Sequence, residues 1–290
     1  MKLLSYNIHY GQGKDDRYDL ARIAAEIQDA DIIALQEVER FWQRSGVVDQ
    51  VTEIARLLPD FHWVYGANLD LDASYASAGG RPVQRRRQFG NMLLSRLPII
   101  STRNHLLPKF GAVNLHTMQR GALEAVIDLP AIGPVRIYST HLCHLTADTR
   151  LPQVDHLLEL HRSAPGEGGA WSGGHPEAKS GWAEGGMPPM PQNAILMGDF
   201  NFEPTDLEYE KFVGPWSERH GRMVPLSGFV DSWVAAGNGE GEGVTCETIR
   251  IDYIFVSSPL APHIVSASID DAAAGSDHQP IECELGGSLP

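Results

Sequence analysis

Cysteine is scarce in this chain: Cys143, Cys246 and Cys283 are all there are in 290 residues. They fit no zinc spacing and cannot close a disulfide framework, which points to a reducing compartment. Positive charge is also short, with 23 Lys and Arg against 37 Asp and Glu and a formal net charge of -14. Nucleic-acid affinity comes largely from cationic neutralisation of phosphates, so this balance disfavours a protein built to grip long duplex, while a small basic cleft on an acidic body is compatible with it. No apolar run reaches membrane-spanning length, and the N-terminus, Met-Lys-Leu-Leu-Ser-Tyr-Asn, turns polar before a signal-peptide core can build up. The expectation is a cytoplasmic protein without a transmembrane segment, and nothing calls for an obligate protein partner. Also missing are a Walker loop, a GxGxxG between strand and helix, an HExxH pair and a Gly-x-Ser-x-Gly elbow, which removes support for nucleotide-loop, zinc-protease and serine-hydrolase chemistry.

What the chain does contain is a set of apolar runs that end on polar groups. Ile195-Leu196-Met197-Gly198 leads into Asp199-Phe200-Asn201, with a carboxylate and an amide two residues apart and so on one face of an extended chain. Asp supplies acceptor oxygens for a proton, a water or a metal, and Asn an uncharged donor beside it. Taken alone, the same residues fit an Asx-rich turn after a buried strand equally well. Elsewhere, a strand over Lys2 to Ile8 ends near Asn7, and Asp19 caps a helix with Leu20, Ile23, Ala24 and Ile27 on one face. The run Asp31 to Glu37 follows at once. A strand, helix, strand order gathers Asn7 and Glu37 at one sheet edge. Each of these two also has an ordinary reading, as a turn former or a solvated loop residue.

Further along, a helix is expected over Gln50 to Leu58, a strand from Phe61 to Tyr65, and a broken pattern from Gly66 to Gln88. Within it, Arg81 to Arg87 concentrates four basic residues, read first as a solvated loop and second as a phosphate-steering patch. Strand character resumes at Gly90, and Arg120 to Leu129 and Val135 to Thr140 form consecutive strands, the second delivering His141. After a helix carrying Leu151, Val154, Leu157, Leu158 and His161, residues 163–192 become rich in Gly, Pro, Ser and Ala, with Trp171 and Trp182. This excursion is expected to be flexible or a lid over the site. Val135 to Asp199 then forms a second strand, helix, strand unit, suggesting two similar layers facing each other within one domain spanning residues 1–290. Near the end, Asp252 interrupts an apolar strand and needs a partner, for which a histidine is suited. Asp277-His278 precedes the terminal strand Ile281 to Leu285.

Asn7, Glu37, His141, Asp199, Asn201, Asp252, Asp277 and His278 supply hard oxygen ligands for Mg²⁺ or Mn²⁺, a base, and donors for charge developing on a phosphate ester. The motifs Ser5-Tyr6-Asn7, Leu35-Gln36-Glu37-Val38, Gly90-Asn91-Met92-Leu93-Leu94-Ser95, Ser139-Thr140-His141, Gly198-Asp199-Phe200-Asn201, Arg250-Ile251-Asp252-Tyr253 and Ser276-Asp277-His278, in this order, resemble the endonuclease/exonuclease/phosphatase superfamily. The resemblance runs from residue 3 to about 285, leaving the 163–192 excursion outside. It implies an α/β fold, a four-layer α/β sandwich of two facing mixed β-sheets flanked by helices. It also implies Glu37 as principal metal ligand with Asn7 and Asp277 close by, and Asp199 orienting or deprotonating the attacking water. Asn201 and His141 would donate to the phosphate, and His278, held by Asp252, would stabilise the transition-state charge or act as acid/base. Arg120 is a weaker candidate for phosphate contact. The expected function is a divalent-metal phosphodiesterase or phosphatase on a small or lipid-like ester, with Mg²⁺ the first choice and Mn²⁺ the second. The rivals are a DNA nuclease, favoured by Arg81 to Arg87 and disfavoured by net charge, and a non-catalytic binding scaffold, which is disfavoured because Glu37, Asp199 and His278 are all present.

Overall fold

The computed structural model describes residues 1–286. Two six-stranded sheets face each other. The first contains β1 (Lys2–Asn7), β2 (Ile32–Arg40), β3 (His62–Asp72), β4 (Arg86–Ser95), β11 (Ile264–Ile269) and β12 (Ile281–Leu285), in the spatial order β11-β12-β1-β2-β4-β3. The second contains β5 (Ile99–Leu106), β6 (Gly121–Leu129), β7 (Gly133–His141), β8 (Ala194–Asp199), β9 (Phe229–Asp231) and β10 (Asp252–Ser257), ordered β9-β10-β8-β7-β6-β5.

Each sheet is built around one parallel pair: β1 on β2 and β7 on β8. A parallel pair needs a crossover, supplied by helix α1 (Leu20–Ile27) in the first case and α3 (Ala147–Glu167) in the second. Central strands are covered on both faces, which is why they read as continuous apolar runs. Leu3, Ile32, Ala34 and Leu93 of one sheet meet Leu123, Ala125, Ile137, Ile195, Met197 and Ile254 of the other. On the outer faces, Leu4, Tyr6, Ile33 and Leu35 pack under α1 and α2 (Gln50–Leu57). Tyr138, Leu196 and Phe255 pack under α3 and α4 (Leu207–Val213). The result is the expected four-layer arrangement.

Buried amides bolt the two sheets together. Asn91 Nδ2 donates to Gly121 O and to Ser139 O, both at 2.9 Å, and Gln36 Nε2 donates to Ser139 Oγ at 3.1 Å. Ser139 Oγ returns a bond to Leu35 O at 2.9 Å. A buried carbonyl stripped of its donor is costly, so Asn91→Ala is expected to destabilise the fold by about 1–3 kcal/mol, read as a lower urea midpoint at unchanged slope. An unchanged midpoint would show that the bolt contributes nothing.

Two expectations need correction. The broken pattern at 66–88 is largely regular: β3 continues to Asp72 and β4 begins at Arg86, with a small two-stranded ladder, Tyr75–Ala76 on Pro82–Val83, closing the hairpin. Polar and charged residues conceal these strands because both project beyond the core. The excursion at 163–192 begins later than expected, since α3 runs to Glu167. Arg136, near the start of β7, holds it by donating to Pro191 O at 2.9 Å and Gln192 O at 3.1 Å, whereas His141 closes the other end of that strand. Trp182 is exposed and covers no core. The return of the segment at Pro191 and Gln192 is thus held at the strand end opposite His141.

Candidate active site

The C-terminal ends of β1, β2, β7 and β8 deliver Asn7, Glu37, His141 and Asp199 to one edge. Asp252 begins β10 directly opposite Asp199 in the ladder. The loop before β12 adds Asp277 and His278; it is positioned by Ser276 Oγ donating to Asn7 O at 2.7 Å and by Glu26 of α1 accepting from Ala274 N and Gly275 N. All of these site residues except Asp252, together with Arg120, border a cleft of about 300 Å³ that His9, Tyr10, Arg44, Phe89, Met118, His144 and Asn201 also line. Asp252 sits behind it, fully buried.

Local sequence explains how the polar groups are aimed at the cleft. Gly198 approaches the backbone of β7 so closely that a Cβ would collide with the Thr140 carbonyl oxygen. Beyond it, Phe200 and Phe202 are buried among Phe212, Tyr253 and Phe255, with Phe200 edge-on to three of these rings, so Asp199 and Asn201 must project the other way. Asn201 adopts φ 54°, and Glu37 adopts φ 61° where the pairing of β2 with β4 shifts register between Leu35 and Val38. A positive φ in a strand is a strained bulge, and it re-aims Glu37 into the cleft.

Asp199 is the hub. Its Oδ2 accepts from Asn7 Nδ2 at 2.9 Å and lies 3.2 Å from His141 Nε2, while Oδ1 accepts from Asn201 N at 3.0 Å. Burial, followed by the charge of Asp252, lifts its pKa to about 7. His278 bridges the two carboxylates, with Nδ1 2.8 Å from Asp252 Oδ2 and Nε2 3.8 Å from Asp199 Oδ2. Burial alone would discharge this imidazole, but the Asp252 carboxylate outweighs it and holds the pKa well above the ordinary value.

Arg120 is buried, and its guanidinium donates to His141 Nδ1 at 3.1 Å and His144 Nδ1 at 3.3 Å. Arginine has no acceptor, so both Nδ1 atoms must carry lone pairs. Both rings are thereby fixed as neutral Nε2–H tautomers, in agreement with burial and the Arg120 charge, which push His141 well below the ordinary histidine range and lower His144 as well. His141 Nε2–H thus lies 3.2 Å from Asp199 Oδ2, and the ring lines the cleft. His144 Nε2–H, also on the cleft wall, meets no acceptor among the described residues.

Of the expected metal ligands, Glu37 and Asp277 present carboxylates to the cleft, and neither pairs with Lys or Arg among the described residues; their only ionic neighbours are His141 at 3.9 Å and His9 at 3.5 Å. Carboxylates without a Lys or Arg partner are hard oxygen donors of the kind that suits a divalent cation. Asn7 lies among these groups: its NH₂ faces Asp199 and, at 3.5 Å, Glu37 and His278, while its oxygen accepts from His9 N at 3.1 Å and keeps a second lone pair. Asp199, Asp252 and His278 also bring ligand atoms within 4.8 Å of one another. The short His278–Asp252 contact commits that pair to a charged hydrogen bond. Asn201 lines the cleft with its amide also donating to Leu142 O at 3.1 Å. The sequence reading overlooked His9, Tyr10, Arg44, Phe89, Met118 and His144; only His9 and His144, adjoining the Tyr-Asn and Thr-His motifs, carried a local signal.

A sequence profile described as the Endonuclease/Exonuclease/phosphatase family matches residues 4–278. No curated protein matches the chain by sequence. Among solved structures, an endonuclease/exonuclease/phosphatase from Beutenbergia cavernae is similar at TM-score 0.66 and 22% identity, covering 99% of this chain and 72% of that one. The Bacteroides thetaiotaomicron mannosyl-6-phosphatase gives TM-score 0.61 and 19% identity over 99% of both chains. The human Nocturnin catalytic domain with bound sulfate gives 0.58 and 20%, covering 99% and 94%. These likenesses concern the fold. No helix among the described residues is long and apolar enough to cross a membrane.

Proposed function

The chain belongs to the endonuclease/exonuclease/phosphatase family, and from that premise we propose a divalent-metal-dependent phosphoesterase that acts on a small or lipid-like phosphate ester. The observation that carries this reading is the Asp199 carboxylate, oriented by Asn7, His141 and Asn201 and flanked by two cations, Arg120 and His278. A carboxyl group with pKa near 7 is a base matched to neutral pH, able to take a proton from the attacking water. Arg120 has no carboxylate partner within ion-pair distance among the described residues, which suits it to hold a phosphoryl oxygen, with the free Nε2–H of His144 beside it. His278, kept charged by Asp252, stabilises the charge that develops on phosphorus and can donate its Nε2 proton to the departing oxygen. Glu37 and Asp277 would hold the cation, which as a Lewis acid would neutralise phosphoryl charge. The modest cleft and the net charge of -14 favour a small ester. Arg85 and Arg87 lack ion-pair partners among the described residues, which keeps a nuclease as the second reading.

The test is a panel of bis(p-nitrophenyl) phosphate, phosphate monoesters, sphingomyelin and abasic duplex, each with Mg²⁺, Mn²⁺ or EDTA. Turnover is expected on a small or lipid ester, reduced on the order of 10²-fold or more by EDTA and restored by either cation. EDTA-resistant turnover would overturn the metal dependence, and preference for abasic duplex would install the nuclease.

A further inference from the structure

The proposed reaction leaves one wall of the cleft unused. Arg44, in the loop after β2, lies over the Tyr10 ring at 4.0 Å from its centroid, with Trp42 at 5.1 Å and Phe89 at 6.0 Å. Its Nε donates to Glu39 Oε1 at 2.8 Å and its Nη2 bonds the same oxygen. Glu39 is fully buried, and Ser45 Oγ holds its second oxygen at 2.8 Å. A guanidinium offers two donor edges, one through Nε and Nη2 and one through Nη1 and Nη2. Glu39 fills the first edge. Nη1 meets no protein acceptor among the described residues, and 41% of the side chain stays accessible on the cleft wall.

An arginine recruited only to neutralise buried Glu39 would explain the filled edge. It would not explain why the guanidinium, set over the Tyr10 ring on the cleft wall, keeps Nη1 without a protein acceptor among the described residues. Neither Glu37 nor Asp277, the carboxylates nearest the opening, bonds Arg44. Arg87, over Trp42 at 5.7 Å, adds positive charge behind this wall in an otherwise acidic protein.

We propose that Arg44, framed by Tyr10 and Phe89, is a subsite for a second oxyanion carried by the organic part of the substrate. The preferred ester then bears a carboxylate or a further phosphate away from the scissile group, bound through the open guanidinium fork. This inference rests on the phosphoesterase reading, because it assumes that the first phosphate sits at Arg120.

The test uses phenyl phosphate, 4-carboxyphenyl phosphate and benzene-1,4-diyl bisphosphate with the full chain in Mg²⁺. Binding is followed by calorimetry and turnover by phosphate release, for the wild type, Arg44→Lys and Arg44→Gln. Lysine keeps an ion pair to Glu39 but has no second fork, so it separates ligand binding from folding. Either or both of the two-anion compounds are expected to bind about tenfold more tightly than phenyl phosphate to the wild type. Which one gains identifies the second group as carboxylate or phosphate. Both variants should lose that preference and keep the affinity for phenyl phosphate. Equal binding of all three compounds to the wild type would overturn the subsite, as would a uniform loss across them in both variants, the mark of a structural wall. Absence of phosphate release from every compound, with the preference intact, would instead remove the phosphatase form of the phosphoesterase reading and leave the anion subsite standing.

Discussion

Asp199→Asn is expected to lower kcat/KM by about 10²- to 10⁴-fold, the range for loss of a positioned general base. Asparagine keeps the size of the side chain, but it cannot take a proton, and all its neighbours at this point are donors: Asn7 Nδ2, His141 Nε2–H and Asn201 N. The pH profile gives the sharper reading. Wild-type kcat/KM should rise with unit slope to a bend near pH 7, where the buried carboxyl ionises, and the residual activity of the variant should lack that bend. Stability responds with the opposite sense. A folded-state pKa raised above the unfolded value gives stability that is complete below the ordinary 3.8 and is lost as pH rises through about 7. In EDTA, the Tm of the wild type minus that of Asp199→Ala should therefore decline from about pH 4 to pH 7 and level off beyond. A variant that keeps a tenth or more of wild-type turnover would remove Asp199 from the role of base.

The sequence carried the frame of this site because strand ends are legible. Apolar runs closing on Asn7, Glu37, His141 and Asp199 are visible without a structure, and the parallel pairs β1 on β2 and β7 on β8 bring those four ends to one edge. Orientation was not legible. Nothing in Gln36-Glu37-Val38 announces φ 61° at Glu37, and only the tautomer imposed by Arg120 turns His141 toward Asp199. The arginine run, read first as a solvated loop and second as a phosphate-steering patch, divides on folding. Arg86 is committed to Asp70 at 2.8 Å, while Arg85 and Arg87 lie against aromatic rings, so a compositional cluster dissolves into separate contacts. Arg44, 5 residues from its nearest chain-local partner Glu39, belonged to no motif; its place became apparent once the bulged end of β2 and the loop behind it were folded back over Tyr10. The low-complexity segment offered no sign of which end of the sandwich it would occupy, because the group that fixes it, Arg136, lies inside an apolar strand.

Asp252→Asn is expected to cost about 10²- to 10⁴-fold in kcat/KM although the residue does not line the cleft. In the wild type, burial works against the His278 imidazolium and the Asp252 charge more than compensates. Removing that charge leaves only the Cys246 contact and the Asp199 charge against burial, so His278 should lose its proton at lower pH and, with it, its cationic field and its transferable proton. The same substitution removes the carboxylate that, after burial, does most to raise the Asp199 pKa. Both limbs of the pH profile should consequently move toward acid, the acid limb through Asp199 and the alkaline limb through His278. The stability effect has its own sign. The raised pKa of His278 contributes stability that is complete below 6.5 and is lost as pH rises through the folded value, so the variant's deficit from this source should be largest in mild acid and shrink in alkali. A lowered rate with both limbs unmoved would mean that Asp252 holds the ring in place without controlling its charge, and a rate near wild type would separate His278 from the chemistry altogether.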